Sequence, residues 1–518
     1  MNDPTIPPTS AALELTVDGR TVQVTDETAS LLDVLRAEGC VSVKDGCSPQ
    51  GQCGCCTVLV DGAPRVACVT PVRRMKGRSI VTADGLDADT RDRWTDAFLA
   101  TGASQCGFCT PGIICRLEGV ATKGGDLTDR AVVDKALLAH VCRCTGWQTI
   151  REAAAVAVEL TSTVEDRDLD AAARRAELEG GASQRVAADV ALGRGGFSVD
   201  SAPADALVAV PDGDGWAVGE TVAAARAAAG KVQGRRTTVQ PTPPVDLPAG
   251  DWAVSLQTNW VDPAYLETDV AWCEPGGTPV GPLANGGAFA PKTAAWLGDV
   301  ARGLADDHGR AVKVVLDRED VVRSSPKRPP VAIGVDEAGA VTLRVAATDG
   351  VDELAAALGV DTVETVEVLG PPTSCEVRGA LAVELAIVGS EVVDGRVRVE
   401  HGGASAEASV TDETVTVRVD AGRPLDEVVL RSYVIGAVHH GLGLVRSESL
   451  AVDADGAVHD LTIRSFGVLR SIDMPHVEVV VEPSEEPAVA CGVAVMSAVA
   501  AAAWHHAGRP SILPVTNR

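Results

Sequence analysis

The sequence predicts an α+β protein. A small mixed sheet around a cysteine loop comes first, then a short set of helices carrying more cysteines, then a longer region of mixed strands and helices. Three observations predict it. Short alternating apolar runs turn at Asp-Gly pairs near the start. Apolar spacing shifts to a helical period from about residue 90 to 160. Beyond that, strand-like and helix-like stretches alternate around a proline-rich segment, Pro241-Thr-Pro-Pro244 to Pro248. At 518 residues the chain is too long for one core, so about two to four domains are expected.

The elements run in order. Leu13-Glu-Leu-Thr-Val17 and Thr21-Val-Gln-Val24 alternate about Asp18-Gly19, which predicts a hairpin. Leu31-Leu-Asp-Val-Leu35 predicts a short amphipathic helix ending at Gly39. Thr57-Val-Leu-Val60 reads as a strand, with a second Asp-Gly turn at 61–62. Strand, strand, helix, cysteine loop and strand make a small ferredoxin-like arrangement. Helices are predicted over Asp92–Ala100, Pro111–Glu118, Asp134–His140 and Thr149–Leu160, with cysteines at their ends. A charged, partly helical linker runs from Ser162 to Ser183.

Eight cysteines fall into two patterns. The first is Cys47, Cys53 and Cys56, with Cys68 twelve residues later; the second is Cys106-Gly-Phe-Cys109, closed by Cys142-Arg-Cys144. Thiolate is a soft ligand, and four around one centre suit zinc or an iron–sulfur cluster. The first pattern nearly reproduces the plant-type [2Fe–2S] spacing, departing by one residue because Cys47 to Cys53 is C-x5-C. Zinc sites usually pair CxxC with CxxC or with two histidines. Disulfides need an oxidising compartment, and the opening residues carry no basic or long apolar segment that would suggest secretion. Two [2Fe–2S] clusters are therefore expected ahead of zinc or disulfides. Cys55 and Cys115 read as buried structural thiols.

Charge narrows the partners. The net charge of −27 argues against nucleic acid and anionic membrane surfaces. Residues 1–160 carry 20 acids and 16 bases, so the cysteine-rich part is nearly neutral and the acidity belongs to residues 161–518. No apolar stretch reads as a membrane span, and a cytoplasmic location is expected.

Residues 11–160 resemble the iron–sulfur module of the molybdenum hydroxylase family, which includes xanthine dehydrogenase, aldehyde oxidoreductase and aerobic carbon monoxide dehydrogenase. The resemblance is carried by Gly51-Gln-Cys53-Gly-Cys-Cys56-Thr-Val, Gln105-Cys-Gly-Phe-Cys109-Thr-Pro-Gly and Cys142-Arg-Cys144-Thr-Gly. It implies a β-grasp, ferredoxin-like domain over 11–85, holding an outer cluster on Cys47, Cys53, Cys56 and Cys68. It implies a four-helix-type [2Fe–2S] domain over 86–160, holding an inner cluster on Cys106, Cys109, Cys142 and Cys144. Gln105 and Cys144 would lie against the pterin of a molybdenum cofactor.

After a linker at 161–182, residues 183–518 resemble a shortened molybdopterin-binding region of mixed α+β structure. The pieces are Gly193-Arg-Gly-Gly-Phe197, Val261-Asp-Pro-Ala-Tyr265-Leu-Glu267 and Gly286-Gly-Ala-Phe289-Ala-Pro-Lys292, then Val377-Arg378-Gly379, Gly436-Ala-Val-His439-His440-Gly-Leu-Gly443 with Glu448, and Ser484-Glu-Glu486-Pro487. The resemblance implies that Gly286, Gly287 and Phe289 contact the cofactor, that Arg378 faces substrate and that Glu486 is the catalytic base. Departures fall on the same contacts. The family's glycines are replaced at Ala288, Ala290 and Pro291, its glutamines at Ser432-Tyr433 and His440, and the glycine before its base at Glu485. Proline there removes an N–H and adds bulk. His439 and His440 read as helix packing.

The expectation is an oxidoreductase subunit that relays electrons from a molybdopterin site to a flavin through two [2Fe–2S] clusters. FAD would sit on a partner subunit, and a full-length molybdopterin subunit would be a second partner, acting on a small-molecule substrate. The alternative is a compact hydroxylase whose own C-terminal region binds molybdenum cofactor and hydroxylates a heterocycle or aldehyde.

Overall fold

The computed structural model describes residues 13–47, 49–159, 167–231, 237–283, 292 and 295–515. The chain begins with the antiparallel pair β1 (Leu13–Val17) and β2 (Arg20–Val24). Asp18 and Gly19 both take positive φ, 48° and 77°, which is the twist a two-residue hairpin turn demands. Helix α1 (Leu31–Ala37) is capped by Ser30, whose hydroxyl accepts from the Asp33 N–H while Asp33 reaches back to the Ser30 N–H. The sheet is completed by β3 (Thr57–Val60), β4 (Ala63–Val66) and β5 (Ser79–Val81), in the order β2-β1-β5-β3-β4. Leu31, Leu32 and Leu35 of α1 are buried.

Four helices come next: α2 (Ala88–Thr101), α3 (Thr110–Ala121), α4 (Arg130–Leu137) and α5 (Gln148–Glu159). They stand close to the predicted helices, except that α4 stops at Leu137 and leaves His140 in the loop before Cys142. Then comes α6 (Leu169–Gly180), inside the stretch read as a linker. It is not a free connector. Ala172 and Ala176 pack against Val429 and Tyr433. Arg175 and Glu179 form a fully buried i,i+4 pair. Arg175 also donates to the carbonyls of Pro424, Val489, Ala421 and Arg423, so its charge is satisfied without water. The charged composition that reads as a linker therefore belongs to a helix packed into the fold.

The middle segment runs α7 (Ser198–Ser201), β6 (Leu207–Asp212), β7 (Gly215–Gly219), α8 (Val222–Ala228), β8 (Val254–Thr258), β9 (Val270–Cys273), α9 (Ala295–His308), β10 (Val312–Val315) and α10 (Arg318–Ser324). A four-stranded sheet takes the order β7-β6-β10-β9, with β10 parallel to β6 and antiparallel to β9.

The last segment comprises β11 (Val331–Val335), β12 (Val341–Ala346), α11 (Val351–Ala357), β13 (Thr362–Val366), α12 (Ala382–Gly389), β14 (Val397–His401), β15 (Ala404–Val410), β16 (Thr414–Asp420), α13 (Glu427–Arg446), β17 (His476–Val481), α14 (Gly492–His506) and β18 (Ile512–Leu513). Two sheets form, β13-β12-β11-β8-β18 and β14-β15-β16-β17. Strand β15 alternates buried and half-buried residues along its length, the mark of a strand with one face on a core.

Helix α13 is 20 residues long and, by length and composition, apolar enough to cross a membrane. Most of it is buried within the protein, so its apolar length serves the core. It is the one such helix among the described residues.

Candidate metal centres

The first four thiols surround the loop between α1 and β3. Cys47, Cys53, Cys56 and Cys68 are all buried, at 6% exposure or less. Contacts with Cys53 and Cys68 hold the Cys47 thiol well below its ordinary pKa, and Cys68 also meets Cys56. Backbone N–H groups aim at the sulfurs: Gln50 donates to Cys47 Sγ at 3.2 Å, and Cys68 to Cys56 Sγ at 3.4 Å. Such donors favour the thiolate form that metal binding requires.

The second four lie where helices meet. Cys106 and Cys109 occupy the turn into α3, and Cys142 and Cys144 the link between α4 and α5. Cys106 Sγ and Cys144 Sγ stand 3.5 Å apart. Cys109 meets Cys142 and draws its thiol down to about 6, with the Thr145 hydroxyl adding to the effect. The first set is thus a run of contacts, Cys53–Cys47–Cys68–Cys56, and the second two contacting pairs, Cys106–Cys144 and Cys109–Cys142, all buried and free. Two buried clusters of soft, thiolate-prone ligands fit iron–sulfur chemistry. Cys55 and Cys115 are also fully buried, and burial raises both of their pKa values.

The Cys142-Arg-Cys144 link is clamped by the later part of the chain. Arg143 forms a bidentate pair with Glu448, one contact being 2.6 Å, and both side chains are 3% exposed. It also donates to the Pro263 carbonyl at 3.1 Å. The His440 ring donates to the Arg143 carbonyl at 2.7 Å.

Beside the second set, α13 closes the surface. Gln105 donates to the Cys144 carbonyl at 3.1 Å and to the Ser432 hydroxyl at 3.0 Å. The Tyr433 hydroxyl donates to Gln184 at 2.9 Å. The cavity left among Gln105, Gln184, Ser432 and Tyr433 is about 20 Å³. A second, bounded by Cys106, Cys144, Glu267 and Lys292, is about 10 Å³. Each has room for about one water, whereas small-ligand sites run to roughly 300 Å³ or more. Among the described residues, the face at Gln105 and Cys144 does not fit a pterin.

The comparisons with known proteins bear on the same residues. Residues 82–155 match the family described as "[2Fe-2S] binding domain". The nicotinate dehydrogenase small FeS subunit of Eubacterium barkeri is 38% identical over 149 residues, covering 28% of this chain and 93% of that protein. The chain belongs to the molybdenum hydroxylase family. The xanthine dehydrogenase iron-sulfur-binding subunit of Escherichia coli O157:H7 is 35% identical over 144 residues, 27% of this chain and 88% of that protein. The fold is similar to the aldehyde oxidoreductase of Desulfovibrio gigas, with a TM-score of 0.64 at 15% identity, covering 98% of this chain and 99% of that one. This molybdenum hydroxylase chain is accordingly an oxidoreductase carrying a [2Fe–2S]-binding domain.

The remaining family motifs are scattered. Gly286, Gly287 and Phe289 lie outside the described residues. Lys292 is buried and donates to the Glu267 carboxylate at 2.7 Å, beside Cys106 and Cys144. Arg378 is half-buried and donates to the Glu179 carbonyl. Glu486 is on an exposed turn, its N–H donating to Ser484 Oγ at 3.3 Å. The carboxylate at the start of α14 is instead Glu179, which accepts from the N–H groups of Cys491 and Gly492 at 3.2 Å. No local signal marks that role, because Glu179 sits in a charged stretch more than 300 residues away. His439 donates to the Leu469 carbonyl at 3.0 Å within the core.

Proposed function

We propose that this chain is the iron–sulfur electron-transfer component of a molybdenum-hydroxylase-type oxidoreductase. Electrons would arrive from a molybdopterin held by a partner chain and leave toward a flavin on another subunit. The reading rests on the closed face at Gln105 and Cys144, where Gln105 bonds to Ser432 and Gly436 of α13 packs directly against the Cys144 carbonyl.

In this reading Cys47, Cys53, Cys56 and Cys68 hold one [2Fe–2S] cluster, and Cys106, Cys109, Cys142 and Cys144 hold the other. Bound clusters supply one-electron acceptance and donation. The N–H groups of Gln50 and Cys68 and the Thr145 hydroxyl, which contact the sulfurs, would bias the potentials of bound clusters, since hydrogen bonds to sulfur are among the factors that set them. Arg143, fixed by Glu448 and Pro263, holds the Cys142–Cys144 link rigid, which limits reorganisation of the ligands.

One observation favours the alternative of a self-contained hydroxylase: the likeness to an aldehyde oxidoreductase runs along the whole chain. Metal analysis of anaerobically purified protein separates the two. Iron at about four per chain with matching sulfide, and no molybdenum, is expected. Stoichiometric molybdenum with turnover of an aldehyde or purine would overturn the proposal, and zinc in place of iron would overturn the clusters.

A further inference from the structure

A larger cavity lies elsewhere, between the first sheet region and the β7-β6-β10-β9 sheet. Its volume is about 360 Å³, enough for a ring-sized molecule. One wall is α1 with the loop after it, and another is the sheet face bearing Val208, Val270 and Val315. Phe108, between Cys106 and Cys109, also lines it.

Strand β10 explains what is unusual there. Side chains alternate across a strand, so Val312 and Val314 face one way and Lys313 and Val315 the other. Val312 and Val314 pack in the core under α9. Lys313 therefore stands on the cavity face of a central strand, where an apolar residue would be ordinary. Among the described residues its side chain makes no hydrogen bond or salt bridge, and burial, with Arg36 adding to the effect and Asp200 opposing it, lowers its pKa to about 8.

The charges around it do not balance. Asp200 is shared by Arg36, at 2.8 Å, and by the buried Lys44. Arg36 Nη1 is buried without an acceptor. The other carboxylates at the wall are already engaged. Asp33 caps α1. Asp45 pairs with Arg226 at 3.0 Å. Glu220 pairs with Arg310 at 2.9 Å, and Glu267 with Lys292 at 2.7 Å. Arg36, Lys44 and Lys313 thus stand at a wall whose carboxylates not paired with some other cation are Asp200 and the helix-capping Asp33, in a chain whose net charge is −27.

We propose that this cavity binds a small organic anion, its acid group held by Lys313 and Arg36 and its apolar body lying among Val222, Val270 and Phe108. An anion there would supply the acceptor that the Lys313 side chain lacks and add to the one Arg36 has in Asp200, and the valines and phenylalanine suit an unsaturated or aromatic body. The cavity is distinct from the gap at Cys144, although Phe108 and Glu267 border both, and the proposal stands whichever chain holds the molybdopterin.

The test is calorimetric titration of the full chain with benzoate and with phenyl phosphate, against neutral benzamide. Saturable binding of one acid and not of benzamide is expected, and the arm that binds tells carboxylate from phosphate ester. Lys313→Met should weaken that binding about tenfold or more. A second readout needs no variant: the binding acid should slow acylation of Lys313 in the native protein, followed by mass spectrometry. Equal behaviour of both acids and benzamide, affinity unchanged in Lys313→Met, or unchanged Lys313 acylation would each overturn the proposal.

Discussion

Gly436 sits so close to the Cys144 carbonyl that a Cβ on it would stand 2.1 Å from the oxygen. The obstacle is backbone, so no rotamer change relieves it. Cys144 belongs to the second thiol set, and the contact is how α13 covers it. Gly436→Ala should cost about 1–3 kcal/mol in chemical denaturation, as overpacking of a dense interior does. It should also alter the electron paramagnetic resonance signal of the reduced inner cluster and leave the outer signal as it was. An unaltered inner signal would show that the helix does not govern that site.

Glu448→Gln removes the charge that balances Arg143. Both groups are buried, and breaking such a pair costs about 3–5 kcal/mol because the remaining charge is stranded. The strained segment is the Cys142–Cys144 link. Iron should fall from about four per chain toward two, the inner cluster being lost first. Full iron content with undiminished stability would remove Arg143 from its holding role.

Cys53→Ser and Cys142→Ser test the division into two sets. Each should abolish one electron paramagnetic resonance signal and retain the other. Loss of both signals in either variant would mean that the eight cysteines form one interdependent site.

Acid should destabilise the fold through His439. Burial keeps its imidazole neutral down to about pH 3, against about 6.5 in an unfolded chain. Between those values the unfolded state binds more protons, so stability falls as pH drops from about 6.5 toward 3. Burial shifts His440 in the same direction. His439→Gln should flatten the slope of unfolding free energy against pH in this window. A slope identical to that of the unsubstituted protein would assign acid lability to other groups.

Glu486→Gln separates the two functional readings. The side chain is exposed, so stability and iron content should be unchanged, and electron transfer from dithionite to an artificial acceptor should persist. Abolished turnover of an aldehyde, in a preparation that showed it beforehand, would restore Glu486 as a base.

Much of the first 160 residues was legible because its signals are local. The Asp18-Gly19 and Asp61-Gly62 turns need positive φ that Asp-Gly supplies cheaply. The Ser30–Asp33 cap lies within one helical turn. Cysteine spacing reports ligands because a cluster draws most of them from one short loop.

Contacts made across the chain were not legible. Arg175 and Glu179 fall in a stretch that reads as a charged linker, yet partners of theirs lie some 250–310 residues later. The apolar length of α13 is the same for a core helix as for a membrane span, and only its neighbours decide. Lys313 is a single lysine among valines until the sheet order puts it on a cavity wall.

The sequence by itself determined the two thiol sets, the turns and helices that carry them, and the family. Tertiary structure alone decided that α13 closes the face at Gln105 and Cys144, that Glu448 holds the link between two ligands, and that Lys313 stands on a cavity wall near Arg36 and Lys44, which share Asp200. Spacing along a chain constrains groups a few residues apart. Closure, burial and charge balance depend on which distant segments meet, and these are set only when the cores pack.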